Sequence, residues 1–117
     1  MEWIFILLII GFFVWRMMPA KGVRSISTED LKGMLKDKSK QFIDVRTPGE
    51  YKGRHLKEFK NIPLNTVKSQ LGSLDKSKET VVICQSGMRS AQAAKILKKA
   101  GFTTVLNVTG GMGAWRG

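Results

Sequence analysis

One cysteine, one histidine and one tyrosine occur among 117 residues. A lone cysteine excludes an internal disulfide and fits a reducing compartment. It also leaves any reactive adduct on that sulfur without a resolving partner in the chain, so another molecule has to remove it. The usual Cys/His metal sets cannot be assembled, and no cofactor is expected. Acidic residues are scarce too: nine Asp and Glu stand against twenty Lys and Arg, a formal net charge of +11. That balance reads as a solvated lysine surface, or as attraction to a small anionic substrate or to anionic lipid headgroups. The lysines are scattered and no aromatics interleave with them, so a base-stacking surface is not indicated and no nucleic-acid partner is expected. Repeats and low-complexity tracts are absent. What is present, 43% hydrophobic and 25% charged residues, suits one globular domain.

The long hydrophobic run lies at the N-terminus, where Trp3 to Trp15 is unbroken over 13 residues and Met17 and Met18 extend it past Arg16. As a helix, residues 3–18 reach about 24 Å, short of the roughly 30 Å hydrocarbon core of a bilayer. Thinning of the bilayer and snorkelling of Arg16 would close the gap, and Trp3 and Trp15 bracket the run as interfacial aromatics do. A cleaved signal peptide would need a positive leading segment and a small-residue cleavage site, and neither is visible. A buried or partner-docking helix is the other alternative. Residues 1–18 are therefore expected to form a membrane anchor and 19–22 a short hinge. Arg16, Lys21 and Arg24 follow the run, so the positive-inside rule places the N-terminus outside and residues 23–117 in the cytoplasm, as a single-pass membrane protein.

Residues 23–117 alternate short strands with short helices. Val23–Ile26 reads as an edge strand. Ser27 then caps a helix, with Asp30 in a variant of the capping box and Leu31, Met34 and Leu35 as its apolar stripe. Gln41–Arg46 reads as a buried strand, Thr47 and Pro48 open a helical turn, and Phe59–Ile62 is a short strand. A helix carrying Val67, Leu71 and Leu74 is expected from about Asn65. Thr80–Ile83 is a strand and Arg89–Ala100 the clearest helix, with Ala93, Ile96, Leu97 and Ala100 on one face and Gly101 as its stop. Thr104–Asn107 closes the strand set before a glycine-rich turn. Such alternation predicts an α/β fold with a mainly parallel sheet and ligands at the carboxyl ends of its strands.

Cys84 falls at such an end, between the apolar strand and the loop Gln85–Met88, with Arg89 at the start of the next helix. Loop amides, the helix dipole and Arg89 would all favour a thiolate there, and Gly87 permits the positive φ that lets successive N–H groups converge on an anion. No lysine or histidine adjoins Cys84 as a general base. This points to a thiolate that attacks an electrophile while the loop holds the adduct. A buried structural cysteine at a strand end is the plainer alternative.

The run VVICQSGMRS resembles the active-site loop of rhodanese-domain sulfurtransferases. IDVRTPGEY (43–51), KNIPL (60–64) and NVTGGMGAW (107–115) resemble further segments of that family, in the family's order, over about residues 22–117. The resemblance implies a rhodanese-like fold, a central mainly parallel sheet with helices on both faces, preceded here by one hydrophobic helix. It implies that Cys84 takes a sulfane sulfur from a donor such as thiosulfate and passes it to cyanide, a thiol or a protein. The backbone from Gln85 through Ser86, Gly87 and Met88 to Ser90 would cradle the persulfide, and Arg89 would bind the anionic donor. Asp44, Arg46 and Glu50 would be structural, with Arg46 pairing with Glu50. The six-residue span from Cys84 to Arg89 is one shorter than in the phosphatases and arsenate reductases of this fold, which favours sulfur transfer over either. A membrane-tethered sulfur carrier or interaction module remains a further alternative. His55 reads as a loop or packing residue, Trp115 as a core or lid aromatic, and Met34 and Met112 as packing.

Overall fold

The computed structural model describes residues 2–17 and 22–117. A helix α1 (Glu2–Met17) precedes a domain of five strands and four further helices. These are β1 (Val23–Ile26), α2 (Thr28–Met34), β2 (Lys40–Asp44), α3 (Pro48–Gly53), β3 (Lys60–Asn61), β4 (Glu79–Ile83), α4 (Met88–Lys99), β5 (Val105–Val108) and α5 (Gly111–Ala114). The sheet order is β1-β5-β4-β2-β3, and every adjacent pair is parallel. The rhodanese-like α/β architecture expected from the sequence is thus present.

The strands sort their side chains by alternation. Val82, Cys84, Ile43, Val45 and Val105 point into one core with Ala93, Ala94, Leu97 and Phe102. Val81, Ile83, Phe42 and Leu106 point into the other, with Leu31, Phe59 and Met112, and Trp115 packs against that cluster. Each fully buried aliphatic side chain stabilises the fold by roughly 1.5–3 kcal/mol. Cys84 continues the β4 alternation and so faces α4.

Local chemistry sets the helix starts. Ser27 and Asp30 form a reciprocal capping box on α2. Thr47 and Glu50 do the same on α3, where Pro48 occupies the first turn. Gly87 begins α4 with φ 102°, a conformation that favours glycine.

Three expectations need correction. The helix expected from Asn65 is a pair of 3₁₀ turns, Leu64–Thr66 and Lys68–Ser73. Ser69 and Ser73 donate their hydroxyls back to the carbonyls of Thr66 and Gln70, a local bonding mode that competes with α-helix. β2 ends at Asp44 and not Arg46, because the Arg46 N–H turns back to Asp44 Oδ1 at 3.0 Å. β3 is confined to two residues, since Pro63 follows Ile62 and has no N–H to offer a ladder.

The expected N-terminal helix is there, and its described side chains from Trp3 to Val14 are exposed. Among the described residues, no helix is long and apolar enough to cross a membrane. At 16 residues α1 is about 24 Å long. Met1 and Met18 of the expected anchor, and 19–21 of the expected hinge, lie outside the described residues.

Candidate active site

β4 delivers Cys84 at the carboxyl end of the sheet, where the chain leaves the core and turns into α4. The Cys84 residue is 0% exposed, which by itself fits a structural cysteine. Its hydrogen bonds argue otherwise. Sγ accepts the Gly87 N–H at 2.9 Å and lies 3.3 Å from Ser90 Oγ. Burial raises the pKa of this thiol. The Ser90 hydroxyl and the N–H groups of Ser90, Gly87 and Ser86 outweigh it, and the net value is below that of an ordinary thiol. A buried cysteine without such donors would shift the other way.

Asn107, on the neighbouring strand β5, completes this arrangement, and the sequence alone did not single it out. Its Nδ2 donates to Gly87 O at 3.2 Å, while its Oδ1 sits 2.5 Å from Ser90 Oγ. A serine hydroxyl has one proton. Asn107 Oδ1, Gly87 O and Cys84 Sγ all lie within its reach, so the hydroxyl can turn to the sulfur when that is a thiolate. The sequence signals were an amide on an otherwise apolar strand and its place at the head of NVTGGMGAW; its register with Val82 belongs to the fold.

Arg89 reaches the loop, but not as a free cation. Its Nη1 and Nη2 donate to the two Glu50 oxygens at 2.7 and 2.9 Å. The Arg89 guanidinium, followed by the Thr47 N–H, holds the Glu50 carboxyl down to about 2, so the pair stays charged through the neutral range. This corrects the expected Arg46–Glu50 pairing. Arg46 instead grips Asp44, with Nη2 to Oδ2 at 2.8 Å and Nε within 3.1 Å of both oxygens. Both residues are buried, Arg46 at 2% and Asp44 at 0% exposure. Residues 44 and 46 lie two apart along extended chain and share a face, whereas Glu50 points on to Arg89. Arg46 also donates to the backbone carbonyls of Glu50 and Arg54 and to Gln85 Oε1. It therefore ties the β2 exit, α3 and the Cys84 loop together. Asn61 adds hydrogen bonds to the carbonyls of Asp44 and Arg46, 3.0 Å each.

The C-terminal glycine segment clamps the loop from the other side. Met112 N–H donates to Cys84 O at 2.8 Å and Gly113 N–H to Gln85 O at 2.9 Å. Gln85 and Ser86 are exposed, and Met88 is 74% exposed at the start of α4. Exposed His55 stacks on Tyr51 at 3.9 Å, with Nδ1 2.6 Å from the Tyr51 carbonyl oxygen.

Residues 27–117 match the rhodanese-like domain family. The chain belongs to that family. It is similar to YtwF of Bacillus subtilis, 41% identical over 96 residues that cover 81% of this chain and 92% of that one. It is also similar to the thiosulfate sulfurtransferase PspE of Escherichia coli, 38% identical over 74 residues, 62% of this chain and 71% of that one. YrkF of Bacillus subtilis is 38% identical over 99 residues, 84% of this chain, but the chain spans only 54% of its length. Among solved structures, a rhodanese-like domain protein from Staphylococcus aureus superposes with TM-score 0.73 at 36% identity, over 79% of this chain and 90% of that one. Sulfurtransferase-like homologues thus share the fold that carries the Cys84 loop.

A direct check of the site concerns pH. Below its pKa the thiol is protonated and reacts slowly, so Cys84 alkylation is expected to rise through a midpoint below that of a free thiol. Ser90→Ala removes a donor to the sulfur anion, and its midpoint is expected to move upward. An unchanged profile would mean that Ser90 does not stabilise the thiolate.

Proposed function

We propose that the protein is a thiosulfate sulfurtransferase-type enzyme that works through a persulfide on Cys84. The observation that carries this reading is the acidified Cys84 sulfur, held by the Gly87 N–H and beside Ser90 at the mouth of a six-residue loop. The Cys84 thiolate attacks the outer sulfur of thiosulfate, the S–S bond of the donor breaks, and sulfite leaves with the electron pair. The N–H groups of Ser86, Gly87 and Ser90, which act on the thiolate, would then serve the persulfide anion, with the rest of the Gln85–Ser90 backbone around it. Cyanide, a thiol or a protein acceptor attacks the outer sulfur and returns Cys84 as thiolate. The acceptor is external, because the chain has no second cysteine.

Both terminal nitrogens of Arg89 are taken by Glu50. Arg89 therefore contributes a shared positive field to the donor and not an open fork. A phosphatase or arsenate reductase would need that fork to grip a tetrahedral oxyanion.

The test is intact-mass measurement before and after thiosulfate. The wild type is expected to gain the mass of one sulfur atom and to lose it again with cyanide, while Cys84→Ser does neither. No gain in the wild type, or hydrolysis of an aryl phosphate dependent on Cys84 and Arg89, would overturn the reading.

We further propose that residues 1–18 attach the protein to a membrane, with the N-terminus outside and the domain in the cytoplasm. The support is the exposed apolar surface of α1, for example Trp3 at 62% and Phe5 at 69%, and the cationic residues that follow it. At its length α1 requires a thinned bilayer. Removing residues 1–22 is expected to release the domain from membranes in high salt. Retention there would remove α1 from that role.

A further inference from the structure

A parallel sheet gives the domain two unlike ends. Four strands, β1, β2, β4 and β5, start at one end, as the pairings Val23↔Val105, Thr80↔Val105 and Lys40↔Glu79 show, while β3 starts farther along, with Lys60 opposite Ile43. Cys84 lies at the other end, beyond the five residues of β4, a separation of about 16 Å.

The strand-start end carries a surplus of lysine. The segments that feed the strand starts, 36–40 before β2, 75–79 before β4 and 98–99 before β5, hold seven lysines and three carboxylates. The carboxylates are already engaged. Asp37 and Glu79 both pair with Lys40, at 2.9 and 2.7 Å, and Asp75 accepts from the Ser77 N–H and hydroxyl. That leaves Lys36, Lys38, Lys76, Lys78 and Lys99 exposed, with Lys98 half-buried beside them. Hydrogen bonds join the segments into one surface. Thr103 N–H donates to Lys76 O at 3.1 Å, Lys98 Nζ to Thr103 O at 3.0 Å, and Gln41 Nε2 to Asp75 O at 2.6 Å.

The link to α1 arrives at this same end. Gly22 abuts Lys98, whose Nζ would lie 2.6 Å from a β-carbon placed there, and β1 starts at Val23. Five residues, 18–22, separate α1 from β1, a reach of at most about 22 Å. The link from α1 therefore joins the domain at its cationic end.

We propose that the strand-start end of the domain is a seat for an anionic lipid bilayer, which turns the Cys84 loop toward the aqueous side. The tether part of this inference rests on the membrane role proposed for α1, and the charge part does not. Each lysine near an anionic bilayer contributes roughly fivefold to partitioning, within a Debye length of about 8 Å. Nucleic acid fits less well, because the only aromatic in these segments and the turn to β5 is Phe102, which is buried.

The test uses the full chain with phosphatidylcholine vesicles, with and without phosphatidylglycerol, and reads lysine acetylation residue by residue by mass spectrometry. With phosphatidylglycerol, Lys36, Lys38, Lys76, Lys78 and Lys99 are expected to react at least threefold more slowly. Lys52, Lys57 and Lys60 and the rate of Cys84 alkylation are expected to stay within about twofold. Salt at 1 M should abolish the protection. The triple variant Lys76→Gln, Lys78→Gln, Lys99→Gln should lose at least tenfold of the preference for anionic over neutral vesicles. Binding to both vesicle types without lysine protection would overturn this inference and leave the α1 reading standing. Protection on anionic vesicles without binding to neutral ones would support the seat and sink the α1 reading. Protection by duplex DNA but not by phosphatidylglycerol would overturn the lipid assignment.

Discussion

Arg46→Leu is expected to destabilise the domain by about 3–5 kcal/mol, a large share of the 5–15 kcal/mol that a domain of this size has in total. The substitution is close in bulk but leaves the Asp44 carboxyl buried at 0% exposure without its guanidinium partner, with the Arg46 backbone N–H still donating to it. It also removes donors from the carbonyls of Glu50 and Arg54. Urea or thermal denaturation of the full chain measures the loss. A double replacement of Asp44 and Arg46 by leucine should recover much of it, because removing both charges deletes the desolvation cost along with the attraction. A loss below about 1 kcal/mol for Arg46→Leu alone would show that the pair is dispensable.

Gly111→Ala is expected to damage both stability and the site. Gly111 has φ 55°, and a β-carbon there would collide with Cys84 O and lie 2.9 Å from the carbonyl carbons of Cys84 and Gln85. The positive φ costs about 1–3 kcal/mol for a non-glycine residue, and relief of the collision a further ~1–3 kcal/mol. Relief requires moving the Cys84 carbonyl off the Met112 N–H, which shifts the sulfur relative to its donors. A lower unfolding midpoint and a changed Cys84 alkylation rate should therefore appear together. Gly49→Ala is the control: nothing lies within 4 Å of its β-carbon position, and it should leave both readings near wild type. Wild-type stability in Gly111→Ala would refute the close approach.

Local signals in the sequence were reliable where local chemistry decides. The caps at Ser27 and Thr47, the apolar strand before Cys84 and the stripe on α4 each act within a few residues, and the structure holds them as read. The parallel sheet followed from alternation of strand and helix. Long-range side-chain pairings were not legible in this way. Glu50 meets Arg89 across 39 residues of sequence, and only the folded loop brings them together. The Arg46–Asp44 pair was legible in principle, since an i, i+2 spacing on extended chain places both on one face. Asn107 escaped notice because its role depends on β5 lying beside β4, an adjacency that no local pattern encodes.

The burial of Cys84 sets a limit on tempo. A sulfur with no exposed surface meets a reagent only when the chain around it parts, so each half of the proposed exchange would wait on local opening. Small electrophiles should then outpace bulky ones of equal intrinsic reactivity. A persulfide kept there would outlast one on an open surface, and its lifetime would be governed by the loop and not by the concentration of thiols outside.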